Sequence, residues 1–139
     1  MANEMNSNLH GAPTVLIVDD EDTMREVCEI MVADAGGTSL SAADGVEAVA
    51  VFAKNADSIG CVVMDFSMPV MDGYQAAAEI RKLRPHTAIV MISGLKPTPE
   101  LQTLCQDPHV EFLAKPFRTE KLIGAINRVR EAAAKLSAK

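Results

Sequence analysis

Apolar residues cluster in short runs separated by polar and helical stretches. Thr14-Val15-Leu16-Ile17-Val18, Cys61-Val62-Val63-Met64 and Ala88-Ile89-Val90-Met91-Ile92 are apolar almost throughout; Thr38 to Ala42 and Val110 to Ala114 are weaker runs of the same length. Runs this short, rich in β-branched residues and without polar alternation, predict strands buried on both faces. Between them the apolar spacing changes to three and four residues. Met24, Val27, Cys28, Met31 and Ala35 predict a first helix, opened by acidic residues and ended by Gly36-Gly37. Asp44 caps a second, with Val46, Val49, Ala50 and Ala53 as its inner face. A third runs from about Asp72 to Arg84, with Tyr74, Ala77, Ile80 and Leu83 inward, and Pro85 stops it. Thr98 and Pro99 start a short fourth helix with Leu101, Leu104 and Cys105 on its buried side, closed by Pro108. The fifth begins near Thr119 and carries Leu122, Ile123, Ile126 and Val129 at helical spacing.

Five strands alternating with five helices imply an α/β chain: a doubly wound, flavodoxin-like three-layer sandwich with a parallel sheet covered on both faces. The expected folded unit is 13–131, between a flexible segment over 1–12 and a fraying Ala/Lys-rich tail over 132–139. With 139 residues there is room for one core. A formal net charge of -6 argues against direct nucleic-acid binding, which needs basic surface. No apolar stretch approaches the roughly 20 residues of a membrane span, and the first dozen residues show no signal peptide. Cys28, Cys61 and Cys105 lack disulfide or metal spacing and read as buried thiols in a reducing, cytoplasmic setting. His10, His86 and His109 fall in loops and read as inert.

The strand ends carry the chemistry. Asp19 and Asp20 follow the first strand, Asp65 the third, Ser93 the fourth and Lys115 the fifth. In a parallel sheet these ends share one edge. Strand order 2-1-3-4-5 then sets the acidic pair beside Asp65 at the point where the winding reverses. Three adjacent carboxylates repel, and a hard divalent cation such as Mg²⁺ relieves that with oxygen ligands. Lys115 adds positive charge and Ser93 a hydroxyl, so the edge suits an anion built on Asp65; a phosphoryl group is the evident candidate. Helix capping is the plain alternative for Asp19 and Asp20, and one of them can do both jobs.

These residues and their order resemble the receiver domain of two-component response regulators over about Thr14 to Val129. The likeness rests on Val15-Leu16-Ile17-Val18-Asp19-Asp20-Glu21, Met64-Asp65-Phe66-Ser67-Met68-Pro69-Val70-Met71-Asp72-Gly73, Ile92-Ser93-Gly94 and Phe112-Leu113-Ala114-Lys115-Pro116-Phe117. The resemblance implies that Asp65 is the phosphoacceptor, loaded by a histidine kinase or a histidine phosphotransfer protein. It implies Mg²⁺ on Asp20, Asp65 and the Ser67 backbone carbonyl, with Asp19 acting mostly through water. Ser93 would move to the phosphoryl group and Lys115 would pair with it, ahead of a cis bond to Pro116. Phe112 would be the aromatic switch, coupling Ser93 to the face of helix four, strand five and helix five where a downstream protein target docks.

The Ser-Gly pair and the Phe-Leu-x-Lys-Pro-Phe run look more like receivers attached to hybrid sensor kinases than like the chemotaxis type. Either the output comes from a separate partner or the chain is one piece of such a kinase. Neither Ser67 nor Leu95, which flank the water path by family position, can orient a water well, so slow self-dephosphorylation is expected. An aspartyl-phosphate hydrolase would need a second Asp where Ser67 stands. A flavodoxin-like cofactor binder would not place Asp19-Asp20-Glu21-Asp22 in a phosphate loop. The expectation is a signalling receiver that turns over no external substrate.

Overall fold

A computed structural model describes residues 8–137. Its five strands are β1 (Thr14–Val18), β2 (Ser39–Ala42), β3 (Ile59–Asp65), β4 (Ile89–Ser93) and β5 (Val110–Ala114). The helices are α1 (Asp22–Asp34), α2 (Gly45–Asn55), α3 (Gly73–Leu83), α4 (Pro99–Leu104) and α5 (Thr119–Ser137). All pairings are parallel, in the order β2-β1-β3-β4-β5, so the doubly wound reading holds.

Successive strand residues face opposite layers. Val15, Ile17, Cys61, Val63, Val90 and Ile92 meet Cys28 and Val32 of α1 and Leu122, Ile123 and Ile126 of α5. Leu16, Val18, Val62, Met64, Ile89 and Met91 meet Ala48 and Phe52 of α2, Ala76 and Ile80 of α3, and Leu101 of α4. Burying one such aliphatic side chain contributes roughly 1.5–3 kcal/mol. With both faces covered, the strands need no polar alternation.

The helix boundaries follow local signals. Asp44 accepts from Glu47 N–H, Thr98 accepts from Leu101 N–H ahead of Pro99, and Asp72 with Gln75 forms a capping box. Gly36 closes α1 at φ +86°, a left-handed conformation that suits glycine.

Three inner faces differ from expectation. In α2 the buried stripe is Ala48 and Phe52, whereas Val46, Ala50 and Ala53 are exposed and Val49 is half-buried. In α1, Val32 joins Cys28 inside, while Val27 faces out and Met24 and Met31 are only partly covered. In α3, Ala76 accompanies Ala77 and Ile80, and Tyr74 and Leu83 point to solvent. Each helix offers more than one apolar stripe, and the one that fits the sheet is buried whatever the size of the competing side chains. Packing decides this, not periodicity.

The ends also differ. Leu9 is buried, and its N–H donates to the Ala35 carbonyl at 2.7 Å, so part of the 1–12 segment is docked; residues 1–7 lie outside the described residues. Helix α5 continues to Ser137, through most of the stretch expected to fray; residues 138 and 139 lie outside the description. Cys28 and Cys61 are buried, their thiols pushed up to about 11 and about 12 mainly by burial, but Cys105 is only half-buried. His109 is not a loose loop residue. It is buried, edge-on to His86 at 5.9 Å, and burial, then the Arg81 charge, lowers its pKa.

Gly73 sets how closely α3 approaches the sheet. A Cβ there would lie 2.7 Å from the Asp65 carbonyl oxygen and 2.8 Å from Phe66 Cα, both backbone atoms that cannot rotate away. Gly73→Ala should therefore destabilise the fold by about 1–3 kcal/mol through overpacking, read as a lower urea midpoint with unchanged slope. A midpoint equal to wild type would show that the loop yields freely.

Candidate functional site

Asp19, Asp20 and Asp65 come together at the C-terminal edge of the sheet, where β1 and β3 lie side by side. One ligand oxygen from each lies within 4.8 Å of the others. Asp19 is fully buried and Asp65 nearly so, while Asp20 is exposed. Loop hydrogen bonds hold two of these carboxylates. Asp19 Oδ1 accepts from Glu21 N–H at 2.9 Å, and Asp65 Oδ1 accepts from Ser67 N–H at 3.1 Å. The capping alternative is not what forms here: the N-cap of α1 is Glu21, with no side-chain cap bond.

Lys115 reaches this cluster from the end of β5. Its Nζ lies 3.2 Å from Asp19 Oδ2, 3.6 Å from Asp65 Oδ2 and 4.0 Å from Glu21 Oε1. The Lys115–Pro116 bond is cis, as expected. The Lys115 N–H donates to the Ser93 carbonyl at 2.8 Å, tying the ends of β4 and β5 together. Ser93 is buried, and its Oγ accepts from Leu95 N–H at 3.0 Å. Gly94 leaves open space beside it. Phe112, two residues before the end of β5, is half-buried against the α2–α4 layer. In the β3–α3 loop Val70 has φ +68° and is 96% exposed, an uncommon conformation for a β-branched residue.

The electrostatics follow from burial. Asp65 is pushed up to about 6, chiefly by burial and then by the Asp19 charge, with Lys115 and the Ser67 N–H opposing. Burial alone would lower Lys115, but the Asp65 and Asp19 carboxylates outweigh it and hold the ammonium above its ordinary value. One further contributor was not foreseen. Arg25 Nη1 donates to the Asp19 carbonyl at 2.8 Å and its other terminal nitrogen meets Asp22 Oδ1 at 2.5 Å, so α1 is tied to the acidic loop. Its sign, in the first turn after four acidic residues, was the available clue. The arrangement can hold a hard cation in an all-oxygen donor set and can present one carboxylate beside an ammonium and a buried hydroxyl.

The family model of the response regulator receiver domain matches residues 15–127. The chain belongs to that family. Similar curated proteins include the sensor kinase CckA of Brucella abortus, 33% identical over 128 residues, covering 92% of this chain and 14% of CckA. The chemotaxis protein CheY of Bacillus subtilis is 30% identical over 84% of this chain and 97% of CheY. The receiver therefore spans a small part of some relatives: 14% of CckA and 10% of the sensor kinase/phosphatase LuxN of Vibrio harveyi. Among solved structures, Vibrio cholerae CheY4 is 31% identical with a TM-score of 0.75, covering 84% of this receiver and 98% of that chain. The CheX–CheY structure from Borrelia burgdorferi is 28% identical with a TM-score of 0.75, covering 83% and 87%. Among the described residues no helix is long and apolar enough to cross a membrane.

The raised Asp65 pKa gives a testable sign. A carboxyl that titrates at about 6 in the fold against 3.8 ordinarily binds its proton more tightly when folded. Without divalent cations it therefore lowers stability progressively as pH rises from about 4 to about 6. Asp65→Asn removes that penalty and should stabilise the metal-free receiver by about 1–3 kcal/mol near pH 7, a gain that shrinks as pH falls toward about 4. Urea titrations of both proteins in EDTA across this range check it; a variant no more stable than wild type near neutral pH would contradict the assignment of strain to Asp65.

Proposed function

We propose that this receiver is a phosphorylation-dependent signalling module. Asp65 accepts a phosphoryl group from a histidine kinase or a histidine phosphotransfer protein, and the α4–β5–α5 face then engages a separate protein partner. The observation that carries this reading is the convergence of Asp19, Asp20 and Asp65 with the Lys115 ammonium, 3.6 Å from Asp65 Oδ2, at the edge where the sheet reverses. In the transfer, an Asp65 oxygen forms a bond to phosphorus as the phosphorus–nitrogen bond of the donor histidine breaks. The bonding pair stays on the ring nitrogen, which takes up a proton.

The carboxylates fit Mg²⁺: they are hard oxygen donors gathered within 4.8 Å, and their mutual repulsion is what a cation offsets. Asp20, Asp65 and the Ser67 backbone carbonyl would hold it, with Asp19 acting through water; bound there, it neutralises charge on the transferring oxygens. The similar Borrelia burgdorferi structure is described as a CheX–CheY complex with BeF3 and Mg²⁺, which supports an oxyanion-like group, a metal and a protein partner for this receiver too.

Lys115 then offers its ammonium to the phosphoryl oxygens. Ser93 Oγ is an acceptor toward Leu95 N–H, so its own hydroxyl proton is available to donate to the phosphoryl group. Movement of Ser93 would vacate space beside β4, and the half-buried Phe112 ring, three positions before Lys115, would turn inward to fill it. That motion links the acidic edge to the partner face. The receiver acts in the cytoplasm and turns over no external substrate. A second reading, that this receiver is one segment of a hybrid sensor kinase, is favoured by its match to 14% of CckA; it changes the donor, not the chemistry.

Incubation with a small phosphodonor and Mg²⁺ should add one phosphoryl mass to wild type and none to Asp65→Asn, read by intact mass. No gain in wild type, or equal gain in both, overturns the proposal. Leu95 is exposed and apolar and Ser67 carries no charge or amide, so the acyl phosphate should persist for many minutes after donor removal. Loss within seconds would show that another group orients the attacking water.

A further inference from the structure

An open groove of about 270 Å³ lies at the N-terminal edge of the sheet, the opposite end from Asp65, with a largely apolar wall and a few polar groups. Gly60 and Ala88 form part of its apolar wall, and Arg84, His86, Arg130 and Ser137 supply the polar groups. Neither Asp nor Glu lines it, although the chain as a whole carries a net charge of -6. Elsewhere Arg25, Arg81 and Arg128 each pair with a carboxylate, at 2.5, 2.7 and 2.7 Å. Among the described residues, the two arginines of this cavity have neutral partners. Arg84 donates to the Ala56 and Ile59 carbonyls and stacks over the Phe52 ring at 5.3 Å. Arg130 Nη1 donates to Asn127 Oδ1 at 2.7 Å.

A guanidinium has five N–H donors, so both arginines keep donors beyond these bonds. Arg84 is already immobilised, which reduces the entropy lost on binding a ligand. Two guanidinium groups, an imidazole and a hydroxyl around a cavity of this size match a tetrahedral oxyanion, which arginine recognises through paired hydrogen bonds. We propose that this cavity binds a small phosphate-bearing anion. The anion would tie the loop after α3, where Arg84 and His86 lie, to the last turns of α5 around Arg130 and Ser137. The site shares no residue with the acidic edge, and its existence does not depend on phosphorylation of Asp65.

The test is a titration of the whole chain with inorganic pyrophosphate, in EDTA so that no divalent cation bridges the probe to the carboxylates, followed by backbone amide NMR. The expected result is a saturable shift of the Gly60, His86, Ala88 and Ser137 amides that weakens as salt rises. Arg130→Gln should weaken the midpoint about tenfold, the loss of one charge-assisted hydrogen-bonding group. Arg84 is left intact because it also satisfies backbone carbonyls; His86→Gln, at an exposed position, is the second variant and should weaken binding less than Arg130→Gln. Absence of a saturable shift overturns the proposal. So do shifts centred on Asp65 and Ser93 instead, or midpoints unchanged in both variants while their spectra show the wild-type fold.

Discussion

Two carboxylates that water would normally separate, Asp19 and Asp65, are buried side by side, and Lys115 is the cation that makes this tolerable. Burial and the Asp19 charge together push Asp65 up to about 6. Much of the local structure serves this one unfavourable arrangement. The Glu21 and Ser67 N–H groups each donate to a carboxylate, and Arg25 braces the Asp19 backbone.

The sheet makes the arrangement possible. β1 and β3 are hydrogen-bonded neighbours although α1, β2 and α2 lie between them in the chain, and the register sets Val18 opposite Met64. The acidic residues that follow therefore emerge together. β4 and β5 pair Ser93 with Ala114, which delivers Ser93 and Lys115 to the same edge. Gly73 lets α3 start directly behind the Asp65 backbone, where any side chain would collide. At the opposite edge of the same sheet, Arg84 and Arg130 line one groove.

The strands are legible in the sequence because both faces of the sheet are buried, leaving runs too apolar to belong elsewhere. The buried helix faces are not. In α2, Val46 and Ala50 look as eligible for the core as Ala48 and Phe52, and only the fit of Phe52 against the sheet, with Gly45 close under Met71, excludes them. Leu9 gives little periodic signal of its own, yet it is buried, and Ala133 in the tail of α5 packs against the same layer. His109 looked like a loop residue because nothing in its neighbours announces that the α4–β5 turn folds inward.

The order of strands and helices, the strand-end identities of Asp19, Asp20, Asp65, Ser93 and Lys115, and the caps at Asp44 and Thr98 were determined by the sequence alone. Each depends on local periodicity, side-chain hydrogen bonding within a few residues, or the parallel-sheet rule that gathers strand ends on one edge. The tertiary structure alone decided which apolar stripe each helix buries, how strongly Asp65 is perturbed, that Arg25 reaches Asp19, and that Arg84 and Arg130 line one groove at the far edge. Those depend on distances between segments remote in sequence, where packing and burial, acting through space, settle what local patterns leave open.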